Sequence, residues 1–515
     1  MSAGVIDIGS SSIKLIIGEK EKDEIKILES LRNPIPLGIN TFLKGKISQD
    51  TINQTINFLE RYKQVLQEYG VTETRVVTTT AVREARNRDI FLETVRRKTG
   101  FNVEVFNIGD IVYYIDVFLS HKLKKTYPIH EKNLIIVELG AGSVDVSVME
   151  RGYTLMNVGI SIGTLWLKQF MSQLGGSLEE TYVAVQEYIE DGIMYLKKMI
   201  PRIHIDDIIL IDENYAPHLQ NILPNNKRDS NFFQFRQKES DELLANLINR
   251  NPEEIASTYK IPIEVAGTIG GYAITLNKLF QLTKNKYINI LETSLPEAIL
   301  ANILFHLELT KESNKTKQLV SVVQHLCHEY KVDLNHARHV AKLAETLFNE
   351  FQETLGLKEG EVLYLILAAY LHDIGMFISN RSHHKHSEYV ISSLSLFRLT
   401  EEEMKIIAAI ARYHRRGDPS FAHLIYGSLA MDKQILVQKL SALLRIANSF
   451  DRAHRQKVKK LEVKFNRKRD VSLIVYTDEN FVLEKSFFLE KKGMFEEISG
   501  NSINLIVKNF SPSTV

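Results

Sequence analysis

The chain has 515 residues, enough for three or four domains with cores of their own, and its 44% hydrophobic and 25% charged content is that of a soluble globular protein. A formal net charge of +1 argues against a global nucleic-acid or membrane footprint, so any anion site must be local. The single cysteine, Cys327, permits no internal disulfide and fits a reducing compartment. With no basic-then-apolar leader and no apolar run of bilayer length, the expected setting is cytoplasmic, with neither DNA nor membrane as a partner.

In chain order, VIDIGSSSIKLIIGE from Val5 reads as a strand, a Gly/Ser turn and a returning strand. A helix follows from about Gln49 to Tyr69, capped by Ser48 and ended by Gly70. Strand Thr74–Thr78, a helix from Arg88 to Lys98, strand Asn102–Phe106 and a helical stretch Ile111–Leu123 complete a first α/β domain, residues 1–128. The polar KKTYPIHEKN segment then leads into IVELGAGSVDVSVME from Ile136, which opens a second α/β domain, 129–308. Within it, Val265–Phe280 (VAGTIGGYAITLNKLF) reads as a strand, a glycine turn and a helix start. The polar stretch beginning at Leu309 reads as a linker to a histidine-rich helical domain, 309–455, which holds eleven of the 16 histidines. From about Leu461 the alternation in LEVKF, VSLIVY and FVLEKSFFLE predicts a small β-containing tail, 456–515.

The two glycine-rich segments are the same short sentence written twice at an offset of 131 residues: Asp7 aligns with Glu138, Gly9 with Gly140, Ser12 with Ser143 and Lys14 with Asp145. Glycine lets backbone N–H groups approach an anion, and serine hydroxyls add donors. Ser10, Ser11, Ser12, Gly140, Gly142 and Ser143 are therefore the expected phosphate-facing residues. An acid at each strand end, Asp7 and Glu138, suits a hydrated Mg²⁺, with Asp145 beside Glu138 to position water. Arg83, in TTTAVREARNRDIF after a strand, offers a planar fork of donors to a phosphate.

These residues resemble the exopolyphosphatase/guanosine pentaphosphate phosphatase (Ppx/GppA) family of the actin-like superfold. DIGSSSIKL is similar to its first phosphate loop, with Ser11 where Asn is usual. TAVREARNRDIF is similar to its arginine segment, ELGAGSVDV to its second loop, and AGTIGG to its later glycine segment, which adds Gly267 and Thr268 to the expected phosphate contacts. The resemblance implies two actin-like (ribonuclease H-like) α/β domains around a cleft, an all-α HD-like domain and a small α/β tail. It further implies a homodimer that uses Mg²⁺ to release terminal phosphate from polyphosphate or a guanosine nucleotide, with Arg83, Glu138 and Asp145 as catalytic residues. The departures matter as much. Where the family carries an SGxEEA stretch whose second Glu is thought to activate water, this chain reads FNIGDIVYY, placing Val112 at that position, with Asp110 nearby as a substitute or a helix cap. The expectation is a weakened phosphatase, or else a binding protein that senses polyphosphate or nucleotide without turnover.

The histidine-rich domain resembles an HD-type metal phosphohydrolase. His336, the His372-Asp373 pair, His386 and His414 form the expected set for a transition metal, drawn from a region that also holds His383 and His384. Asn448 stands where the pattern usually ends in Asp, with Asp451 one helical turn further on. The set is either a metal site, even a catalytic one, or a packed structural relic. The basic run from Arg452 to Arg469 reads either as guidance for a long polyanion or as a solvated strand-and-loop face, and His325, His328 and His454 read as structure or surface.

Overall fold

The computed structural model describes residues 2–223, 232–248, 250–307, 312–394, 396, 399–415, 417–466 and 470–510. The chain divides into two compact units, Met1–Asn314 and Lys315–Val515.

In the first unit, strands β1 (Ser2–Ile8), β2 (Ser12–Glu21), β3 (Glu24–Pro34), β4 (Glu73–Thr78) and β5 (Val103–Val105) form a five-stranded sheet in the order β3-β2-β1-β4-β5. The first three are an antiparallel meander, while β4 joins β1 and β5 joins β4 in parallel. Parallel pairing needs crossovers, and the helices Gln49–Glu68 and Arg88–Thr99 supply them. Ala3 to Ile8 are all buried, as a central strand covered on both faces requires. The first crossover helix starts where the sequence places it: the Ser48 hydroxyl accepts from the Thr51 N–H at 3.2 Å.

A second sheet repeats the plan. Strands β6 (Asn133–Leu139), β7 (Val144–Glu150), β8 (Tyr153–Ile160), β9 (Asp207–Ile211), β10 (Phe233–Arg236) and β11 (Tyr287–Leu291) run in the order β10-β11-β9-β6-β7-β8. Again a meander is followed by two parallel additions, β9 on β6 and β11 on β9, and β10 is appended antiparallel at the edge. The duplicated motif is thus one part of a duplicated architecture. One element departs from expectation: Val265–Phe280 carries no strand, and the helices Ile263–Ala266 and Ile269–Leu279 stand there instead. Every residue from Ile269 to Leu276 is buried, so this helix is enclosed on all sides rather than amphipathic.

The second unit packs the helices Glu312–Glu329, Leu334–Leu355, Val362–Leu371, His383–Ser393, Glu401–Arg412 and Met431–Ser449 beside a three-stranded sheet. In that sheet β12 (Lys460–Phe465) lies antiparallel to β13 (Asp470–Thr477), and β14 (Ser502–Asn509) joins β13 in parallel. The stretch read as a linker runs into the Glu312–Glu329 helix. FVLEKSFFLE, read as strand, is the helix Val482–Lys491, whose buried residues Glu484, Phe488 and Lys491 sit four and three apart. Within the basic run, Lys457 is buried and paired with Glu484 at 2.9 Å, Lys460 pairs with Glu462 at 3.2 Å, and Arg467, Lys468 and Arg469 lie outside the described residues. Against the expectation of no membrane-length apolar run, Glu359–Phe377 is long and apolar enough by composition to cross a bilayer; 67% of it is buried inside the protein.

Candidate functional site

Both glycine-rich turns close in the same way. The Gly9 N–H donates to the Ser12 carbonyl at 3.0 Å, and the Gly140 N–H donates to the Ser143 carbonyl at 2.9 Å. The two turns line one cavity of about 100 Å³ in the first unit. Ser10, Ser11, Ser12, Gly140, Gly142 and Ser143 all face it, as do Asp7, Glu138 and Asp145, so residues expected from two distant segments do converge. The cavity is also lined by Lys14, Arg32, Thr80, Ile111, Asp212, Glu213 and Asn214.

Three buried carboxylates dominate the electrostatics. Burial pushes Glu138 up to about 8, with the neighbouring Asp145 and Asp7 charges adding to the shift. Burial likewise raises Asp145 to about 6 against the opposing pull of Arg83 and Ser143, and it raises Asp7. Asp7 Oδ1, Glu138 Oε2 and Asp145 Oδ1 are buried with no hydrogen-bond partner. Three crowded carboxylates with orphaned oxygens form an oxygen-only donor set that suits a hard cation such as Mg²⁺. Lys14 supplies a partial counter-charge, lowered to about 8 mainly by burial, and it is ion-paired with Glu213.

Arg83 does not line the cavity itself. Its guanidinium donates to the Phe106 carbonyl at 2.8 Å and to the Thr80 hydroxyl at 3.3 Å. Thr80 and Ser143 share a hydrogen bond of 3.1 Å, and the Ser143 hydroxyl donates to Asp145 Oδ2 at 3.1 Å. Arg83 therefore reaches the second turn through a relay, and Thr80 is the link that sequence reasoning missed. At the start of the Ile108–Lys122 helix, the residue on the cavity is Ile111, and Val112 is buried beside it. One residue along a helix turns the side chain by about 100°, so the expected position of the missing base shifts by one. Neither residue can take a proton. Asp110 forms a capping box with Asn107: the Asp110 N–H donates to Asn107 Oδ1 at 2.9 Å and the Asn107 N–H to Asp110 Oδ2 at 3.0 Å.

Gly267 and Thr268 lie outside the cavity lining. The Thr268 hydroxyl instead accepts from the Tyr215 phenol at 3.0 Å, one layer behind Asp212. Asp212 was not foreseen; it is buried and accepts the backbone N–H groups of Asn214, Tyr215 and Ala216 at 2.8–2.9 Å. Arg32 was not foreseen either, and it ties the two lobes by donating to Ser12 at 3.2 Å and to Asn214 at 2.9 Å.

In the second unit His336, His372, Asp373 and His414 come together as expected, all buried. His386 does not join them. The neighbour that does is His383, whose Nε2 lies 3.2 Å from Asp373 Oδ1. Asp451, one turn beyond Asn448, meets His336 Nδ1 at 2.9 Å. His454, read as structure or surface, stacks on the His336 ring with 3.6 Å between centroids.

The chain carries domains of the Ppx/GppA phosphatase family: residues 16–209 match the Ppx/GppA phosphatase family and residues 320–491 match Ppx/GppA phosphatase, domain III. It is similar to a guanosine-5'-triphosphate,3'-diphosphate pyrophosphatase of Pseudoalteromonas translucida, 22% identical over 466 residues and covering 86% of each chain. The protein of that name from Pseudoalteromonas atlantica is 21% identical over 428 residues, 80% of this chain and 79% of that one. In fold it resembles an exopolyphosphatase of Cytophaga hutchinsonii, with TM-score 0.53 at 18% identity over 60% of this chain and 100% of that one.

Proposed function

We propose that the cavity of the first unit binds the terminal phosphate of an inorganic polyphosphate or of guanosine pentaphosphate and hydrolyses its phosphoanhydride bond. One observation carries the reading: two turns of the same hydrogen-bonded form, 131 residues apart, line one cavity together with three buried carboxylates. In this scheme the backbone N–H groups and hydroxyls of Ser10, Ser11, Ser12, Gly142 and Ser143 hold the phosphate oxygens. Arg83 stiffens the second turn through Thr80 and adds positive charge beside Asp145. Asp7, Glu138 and Asp145 would hold Mg²⁺, which supplies charge neutralisation for the transferring phosphoryl group. Positioning and electrostatics dominate such transfers, so no covalent intermediate is required.

The apolar Ile111 at the cavity edge limits proton removal from the attacking water, and turnover is expected to be slow. The same residue favours a second reading, in which the cavity binds the phosphate ligand and releases it unchanged. Phosphate release from long-chain polyphosphate and from guanosine pentaphosphate with Mg²⁺, wild type beside Glu138→Gln, separates the two. Release that Glu138→Gln abolishes supports the phosphatase. Calorimetric binding of tripolyphosphate without release supports the sensor, and absence of both removes the cavity from consideration.

A further inference from the structure

We infer that Arg32 grips the second phosphoryl group of a bound phosphate chain, the group next to the terminal one, and so selects chains over free phosphate. This rests on the reading of the first unit's cavity as a phosphate site. The two sheets place equivalent rows of side chains at their turn ends. In the first sheet Asp7 of β1 faces Lys14 of β2, and Lys14 faces Arg32 of β3. In the second, Glu138 of β6 faces Asp145 of β7, and Asp145 faces Gly159 of β8. Directly opposed residues point to one face of a sheet, about 5 Å apart. The first row therefore ends in a guanidinium where the second ends in no side chain at all.

The contacts of Arg32 leave its charge unanswered. Nε donates to Ser12 Oγ at 3.2 Å and Nη1 to Asn214 Oδ1 at 2.9 Å, and both acceptors are neutral. Among the described residues no carboxylate is ion-paired with Arg32, and Nη2 has no hydrogen-bond partner. The neighbouring cations are committed. Lys14 is ion-paired with Glu213, and Arg83 donates to the Phe106 carbonyl and the Thr80 hydroxyl behind the cavity lining. Of the three, Arg32 alone is exposed, and it lines the cavity.

Position and charge then divide the substrate between the two ends of the row. Asp7, at the inner end, is buried with an orphaned oxygen beside Glu138 and Asp145, where the cation and the terminal phosphate belong. The next phosphoryl group follows through one bridging oxygen and continues toward solvent, which is the direction from Asp7 through Lys14 to Arg32. The bond to Ser12 holds the guanidinium against the first phosphate turn, so it meets that group directly. Its planar fork matches two oxygens of one phosphoryl group, and such a charge-assisted bond is about twice as strong as the neutral one it makes with Asn214. In hydrolysis the water oxygen bonds to the terminal phosphorus and the bridging P–O bond breaks. The electron pair stays on the leaving oxygen and the water's proton passes to solvent. Arg32 is then paired with the group on which negative charge builds.

The test is calorimetric binding of orthophosphate, pyrophosphate and tripolyphosphate, with Mg²⁺ present, to full-length wild type and to Arg32→Ala. Orthophosphate has no second phosphoryl group, so its Kd should be the same for both proteins, which also shows that the variant is folded. Pyrophosphate and tripolyphosphate should each bind the variant about tenfold or more weakly, the loss of one charge-assisted contact. Asn214→Ala, which breaks the tie between the lobes and keeps the arginine, should bind pyrophosphate no more weakly than wild type does. An equal loss for orthophosphate, no loss for pyrophosphate, or the same loss in Asn214→Ala overturns the assignment, because Arg32 would then serve only to hold the turn or the lobes. Binding needs no turnover. Wild type that binds pyrophosphate but releases no phosphate from polyphosphate removes the phosphatase reading, and the comparison with Arg32→Ala still decides this one. Wild type that binds none of the three probes overturns both.

Discussion

Glu138 and Asp145 are register partners across the antiparallel β6–β7 ladder, facing each other directly at the strand ends beside the turn. In the first sheet Asp7 and Lys14 hold the same places across β1 and β2. The duplicated frame thus puts an acid–base pair on one wall and an acid–acid pair on the other. Directly opposed residues in such ladders lie about 5 Å apart, and like charges there are unfavourable unless something compensates them. Burial is the larger cause that raises Glu138 to about 8, and the facing Asp145 carboxylate adds to it.

Asp145 is also opposed on its other side, where it pairs with Gly159 of β8. A Cβ at Gly159 would lie 2.3 Å from Asp145 Oδ1. Gly159→Ala must therefore push the carboxylate out of place. A displacement of about 1 Å costs roughly a hundredfold in a preorganised site, so phosphate release is expected to fall by about that factor. The check is kcat for polyphosphate alongside a melting curve, which should move only slightly.

A second expectation concerns the missing base. Ile111 lines the cavity and Val112 does not. Ile111→Glu should raise phosphate release by about a hundredfold, the low end of what a positioned general base contributes. Val112→Glu, placing a carboxylate in a packed position, should lower the melting temperature and leave the rate unchanged or reduced. An equal gain from both variants would refute the assignment of the cavity position.

The parts of this site that were legible in the sequence are the local ones. A Gly/Ser turn between two apolar runs writes its own geometry, and so both turns stand where expected. Longer-range placement was not legible. Nothing near Asp212 or Arg32 marks them, because the cavity assembles them from the residue after β9 and from β3, far apart in the chain. In HHKHSE, His383 and His386 are three apart on one helix, and only tertiary packing selects the first. FVLEKSFFLE misleads because the charged Glu484 takes a core position through its pair with Lys457, which hides the helical period. Strand β14 is mostly exposed, with Ile503 buried, so its residues show no alternating core face, and its place in the sheet comes from non-local parallel pairing with β13.

Arg83 gives a prediction in pH. Its charge opposes the burial that raises Asp145. Removing a nearby cation raises a carboxylate's pKa, by about one unit or more at close range. If Asp145 works ionised, activity in Arg83→Ala is lost at higher pH as the medium is acidified, so the acidic limb of the kcat profile shifts upward by about one unit. Arg83→Lys keeps the charge but not the fork to Phe106 and Thr80. It should restore the limb while leaving KM raised. A limb that stays in place in Arg83→Ala removes Asp145 from the reaction.

The last prediction separates stability from the site. Asp116, on the Ile108–Lys122 helix, is buried, accepts from Thr154 at 3.2 Å and is pushed up to about 7 by that burial. Its carboxyl titrates near 3.8 when unfolded. Below that value both states are protonated and Asp116 costs nothing. As pH rises from 3.8 to 7 the unfolded chain ionises while the folded chain still holds its proton, so stability falls with pH; above 7 the full penalty stands. At 1.36 kcal/mol per unit this amounts to about 4 kcal/mol at pH 8. Asp116→Asn removes the charge and keeps the shape. Its melting temperature should therefore match wild type near pH 4 and exceed it by several degrees at pH 8. A gap that is constant across pH would mean that Asp116 does not enter the folded state as the neutral acid.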